Sequence, residues 1–110
     1  MHIRLRIRPI ITRFIILSLM GLLAGCVRDS NLREGIRNFQ EQDYRQAFIR
    51  LKPVAEQGYP QAEYAVGYMY YYGQGVVEDR DAARYWITAA ARAGQPDART
   101  ALSILEKTTK

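Results

Sequence analysis

At 110 residues the chain is long enough for one domain, and its formal net charge of +5 would by itself point to nucleic acid or an anionic surface. Four of its sixteen basic residues, Arg4, Arg6, Arg8 and Arg13, precede Cys26, however, and none of the eleven acidic residues does. From Cys26 onward twelve bases face eleven acids, a net of +1, which removes the support for nucleic-acid binding; a single cysteine likewise excludes an internal disulfide framework.

Residues 1–25 read as a cleaved secretory signal, because an arginine-rich start is followed by the apolar run from Phe14 to Leu23, about ten residues and shorter than a typical spanning helix. The segment ends in Leu23-Ala24-Gly25-Cys26, which resembles the bacterial lipobox. The resemblance implies cleavage before Cys26 and lipid on its thiol, because small residues let the chain lie in the peptidase site and the thiol is the atom acylated. An uncleaved anchor is the competing reading. Residues 26–30 then form a short lipidated tether. Val27 stands where Asp would retain a lipoprotein in the inner membrane, so the expected address is the outer membrane facing the periplasm, with Asp29 the residue that modifies this sorting in some bacteria.

Residues 31–58 carry a first helical hairpin. Asn31 with Glu34 approximates a capping box, and Leu32, Gly35, Ile36 and Phe39 make an apolar stripe that Gln42-Asp43 interrupts. Asp43 with Gln46 opens a second helix whose buried face is Ala47, Leu51, Val54 and Ala55, and in which Pro53 is expected to bend the axis or loosen one hydrogen bond.

Residues 59–94 carry the clearest hairpin. Ala62, Val66, Met69 and Tyr70 recur with helical spacing before the loop Gly73-Gln74-Gly75-Val76, and Ala83, Trp86, Ile87, Ala90 and Ala91 recur after it. The loop glycines permit positive φ where the first helix stops, and Asp79 is placed to cap the second. Asp43 and Asp79, Ala47 and Ala83, Leu51 and Ile87, Gly58 and Gly94, Pro60 and Pro96, and Ala62 and Ala98 are all 36 residues apart. That period marks stacked repeats. Residues 95–107 begin a third copy, in which Ala98, Leu102 and Leu105 match Ala62, Val66 and Met69, and serve as a capping helix.

Ala62, Val66-Gly67, Tyr70, Gly73-x-Gly75-Val76, Asp79, Ala83, Trp86, Ala90-Ala91 and Gly94 fall in register with the pattern of the Sel1-like repeat, a relative of the tetratricopeptide repeat, and the stretch resembles that family. The resemblance implies an all-α fold, a short right-handed solenoid of about five helices in which the first helix of each hairpin lines the concave side. Gln61, Tyr64, Tyr68, Tyr71 and Tyr72 would then face a groove for a partner protein, or fill that groove themselves, while Trp86 packs between neighbouring helices. Tyr suits such a surface because it offers a broad contact area with two torsions to immobilise. The implied function is a lipid-anchored envelope scaffold with membrane contact through the lipid, no nucleic acid and no cofactor. Alternatives are a modulator of a cell-wall enzyme or a relative that binds or hydrolyses β-lactams. The last would need a nucleophile with a base, as in Ser-x-x-Lys, but Ser30 is followed by Arg33 and Ser103 by Glu106, and the one His, His2, lies in the signal, so no catalytic role is expected. With only about two and a half units the end helices are poorly covered, and Ile104 adds an apolar residue there, which leaves self-association through the terminal helix open against simple capping.

Overall fold

The computed structural model describes residues 2–108. Five helices follow in order: α1 (His2–Gln40), α2 (Tyr44–Glu56), α3 (Pro60–Tyr72), α4 (Arg80–Arg92) and α5 (Pro96–Thr108). The chain divides into two compact units at Ser30 and Asn31.

The N-terminal unit is helical, with Ile10, Phe14, Leu17, Met20 and Leu23 among its exposed side chains. Its apolar segment is longer than the run from Phe14 to Leu23. Ile10 and Ile11 extend it upstream and Val27 downstream with Arg13 as the only charge between, so by length and composition the helix can cross a membrane, a property that a signal sequence shares. The helix is also continuous through residues 26–30, where the sequence predicts a tether, and through Asn31, which is therefore not an N-cap. No proline interrupts this stretch, and adding a residue to an existing helix is far easier than starting a new one. Glu34, freed from the expected capping box, pairs instead with Arg50 of α2 at 2.6 Å.

In the second unit the 36-residue period is visible in the elements themselves. α4 begins and ends 36 residues after α2, and α5 does the same after α3. Burial repeats with them: Ala47 and Ala83, Leu51 and Ile87, Val54 and Ala90, Ala55 and Ala91, and Ala62 and Ala98 are all buried. Their boundaries follow from the caps. The Asp43 carboxylate accepts from the Gln46 N–H, and Asp79 accepts from the N–H groups of Asp81 and Ala82 at 3.1 and 3.0 Å. Pro60 and Pro96 are the first residues of α3 and α5, each two residues after a glycine of positive φ. Pro53 has no N–H to give the Ile49 carbonyl, yet α2 runs through it to Glu56 with Pro53 exposed.

Two glycines set the spacing of the hairpins. A Cβ on Gly67 would sit 2.7 Å from Ile87 Cγ1 and 3.1 Å from the Ile87 nitrogen, so α3 and α4 approach to a distance only glycine allows. Gly35, which the sequence places in an apolar stripe, has the same role in the first hairpin, where a Cβ would meet Leu51 Cγ at 2.6 Å. Leu51 and Ile87 are themselves a 36-residue pair, whereas Gly35 and Gly67 are 32 apart. The difference of four is the shorter loop of the first hairpin, closed by Gln42 at a φ of 64° and by the Asp43 N–H donating to the Asn38 carbonyl.

One core cluster joins α2 and α3 with Leu32, Ile36 and Phe39 of α1 and Trp86 of α4, which places Trp86 between neighbouring hairpins as the repeat pattern implies. The Lys52 ammonium lies over its ring at 5.5 Å from the centroid. A second cluster joins α4 and α5 with Tyr64 of α3. On α5, Ser103 stands where Gly67 stands on α3, and Glu106 where Tyr70 stands. α5 thus carries polar residues at the two positions where α3 has Gly67, packed on α4, and Tyr70, packed on α2.

Glu63 is the one buried charged residue among those described. Burial pushes its carboxyl above the ordinary carboxylate range. A folded-state value above the unfolded one means that ionisation costs stability: the penalty is absent below about pH 4, where both states are protonated, and is fully present once pH exceeds the folded value. Glu63→Gln should therefore melt at a higher temperature than the parent at pH 7. The gain should shrink to nothing as pH is lowered through the carboxylate range, and thermal melts across that range check it.

Candidate protein-binding groove

Gln61, Tyr64, Tyr68, Tyr71 and Tyr72 fall at helical spacing on α3, and the structure brings them to one side of the array. Tyr64 and Tyr68 form a ridge there, with ring centroids 6.4 Å apart. On one flank lies a cleft of about 170 Å³ lined by Tyr64, Tyr68, Tyr71 and Tyr72 with Ala101, Ile104 and Leu105 of α5. On the other lies a cleft of about 270 Å³ lined by Tyr64, Tyr68, Ala65 and Gln61 with Ile36 and Phe39 of α1 and Gln95 and Asp97 at the start of α5. The surface thus runs over the first helix of each hairpin: α1, α3 and α5.

The rings are packed against one another, with Tyr64, Tyr68 and Tyr71 half-buried and Tyr72 exposed. Tyr68 meets Phe39 at 5.7 Å and Tyr72 at 4.7 Å, and Tyr72 meets Tyr71 at 4.9 Å in a T-shaped pair. Arg80 continues the line with its guanidinium 3.7 Å from the Tyr71 ring centroid, and its Nε donates to Glu78 at 2.8 Å. Tyr64 is half-buried against the second core cluster. Its phenol is held above its ordinary pKa, first by burial and then by the negative field of Asp97. Tyr72 is the most open of the five tyrosines of α3, at 57% exposure. Tyr70 belongs to the opposite side, where its ring stands T-shaped on Phe48 of α2.

Every predicted groove residue therefore lines one of the two clefts, Gln61 on the α1 side and Tyr71 and Tyr72 on the α5 side, while Tyr64 and Tyr68 serve both. Cys26 belongs to the N-terminal unit and is exposed on α1 as a free thiol. Sequence reasoning missed Ile36, Phe39, Asp97 and Ile104 as groove residues. For two of them a signal exists, because Ile104 lies 36 residues after Tyr68 and Asp97 36 after Gln61. Among the described residues no cluster of three or more His, Cys, Asp or Glu side chains is arranged to hold a metal ion.

Residues 60–95, which contain α3, its glycine loop and α4, match the family model of the Sel1 repeat. This segment is a Sel1 repeat. No curated protein and no solved structure matches the chain. Sel1 repeats build helical solenoids that mediate contacts between proteins, and the parts of this one divide accordingly. Gly67 and the residues buried against Ile87 hold the hairpin together, the glycine loop seats it on the preceding one, and the α3 face turned away from α4 carries the exposed aromatic surface.

Proposed function

We propose that the protein is a lipid-anchored adaptor of the bacterial cell envelope that holds a segment of a partner protein in its aromatic groove. The observation that carries the binding half is the pair of clefts beside the Tyr64 and Tyr68 ridge: half-open tyrosine rings, already ordered by mutual contact, present apolar area with little further entropy to lose on binding. The anchoring half is supported by the sequence around Cys26 and by the exposure of its thiol. The outer membrane, facing the periplasm, is the location this reading favours, from Val27 after the cysteine.

Metabolic labelling with palmitate tests the anchor. The parent chain should incorporate label and be processed, and Cys26→Ala should do neither. A parent that takes up no lipid, or a Cys26→Ala chain that is still cleaved before residue 26, would overturn the lipoprotein reading.

A further inference from the structure

We infer that the groove takes a protein segment bearing a cationic side chain, arginine above all, seated beside Tyr64 and Tyr68 with Asp97 as its counter-charge. This rests on the groove being a binding surface. Of the residues that line the two clefts, Asp97 alone is charged; the rest are apolar, aromatic or amide-bearing. An exposed carboxylate at the edge of an aromatic cleft favours a basic occupant over an acidic one, since like charge there is unfavourable and opposite charge gains both a modest ion pair and the ring faces. The clefts, at about 170 and 270 Å³, are below the range of small-molecule sites and suit single side chains on either side of a ridge.

The same molecule already shows the combination at work. Arg80 is held between the face of Tyr71 and the carboxylate of Glu78, with the guanidinium 3.7 Å from the ring centroid and 2.8 Å between Nε and the acid. The cleft beside α1 offers the same two partners, a tyrosine ring in Tyr64 and a carboxylate in Asp97 close enough to act on it, but supplies no cation of its own. Asp97 is available for such a role. It lies in the first turn of α5, where the Ala98 N–H is capped by the Gln95 side chain rather than by Asp97, and its own contact is a long one from Gln95 Nε2 at 3.5 Å.

The test uses the full chain in detergent micelles and three probes, acetyl-Leu-Arg-Leu-amide and the same peptide with citrulline or Glu in place of Arg, followed through the ring resonances of Tyr64 and Tyr68. The Arg peptide should bind about 5- to 30-fold more tightly than the citrulline peptide, from one ring contact and one partly exposed ion pair, and the Glu peptide should be the weakest. Asp97→Asn should reduce the Arg preference several-fold, and Asp97→Glu should retain most of it. Equal binding of the three peptides would overturn the cationic occupant while leaving the groove as a binding surface. Failure of all three to shift these resonances would overturn both. Shifts that appear with rising protein concentration and no peptide would mean a second copy fills the groove, which also overturns the proposal.

Discussion

Gly75→Ala should destabilise the repeat domain by about 2–5 kcal/mol, as the sum of a left-handed backbone penalty of about 1–2 and an overpacking penalty of about 1–3. Gly75 has φ +71°, and a Cβ built on it would fall on the Tyr44 carbonyl at the start of α2. The obstacle is backbone at a capped helix terminus, so it cannot swing aside as a side chain would. Gly73→Ala is the matched control. Its φ is +65°, nearly the same, but its Cβ would meet Glu78 Cβ at 3.3 Å, a contact that a small shift relieves. Its cost should stay near the backbone penalty alone, about 1–2 kcal/mol. Chemical denaturation of the two variants checks this. Equal losses would mean that the loop does not lean on the first hairpin and that only the turn geometry requires glycine.

The meeting of Gly75 with Tyr44 marks a boundary between local and distant signals. The positive φ of the loop glycines is a local requirement, readable from Gly-x-Gly between two amphipathic stretches; that Gly75 also abuts Tyr44 depends on a residue 31 positions earlier, to which no pattern points. The caps at Asp43 and Asp79, the Gly-Pro junctions and the buried alanines are legible for the same reason: each is a local signal, and the 36-residue period states it twice. Where the period slips, that redundancy is gone. The four-residue shorter loop of the first hairpin takes Ile36 and Phe39 out of the 36-residue register, so no pattern places them opposite Tyr64 and Tyr68, and Gly35 reads as one more apolar position instead of a helix contact. The continuity of α1 is hidden for a different reason. Asn31 and Glu34 are a cap signature only if a helix must start there, and in the intact chain the helix is already running.

Replacing Tyr64, Tyr68 and Tyr71 together by Ser should cost stability and binding at once. Tyr64 lies half-buried on the α4–α5 cluster, Tyr68 bridges to Phe39 of α1, and Tyr71 carries Arg80. With most of each residue out of water and its aromatic pairings removed, the triple change should take away about 4–8 kcal/mol. A domain of this size holds about 4–12 kcal/mol in all, so the variant should be largely melted near body temperature. Such a loss does not speak against a groove, because the same rings can support the array and receive a ligand. The roles separate at Tyr72, which is more than half exposed and reaches Tyr68 and Tyr71 from the solvent side. Tyr72→Ser should change the melting temperature little, with a cost of about 1 kcal/mol or less, yet weaken capture of a groove ligand by about 5-fold or more. Thermal melts beside a binding titration decide between the readings. If Tyr72→Ser binds as the parent does, and a Tyr71,Tyr72→Ser pair that remains folded does so too, the rings are packing alone and the binding surface lies elsewhere on the domain.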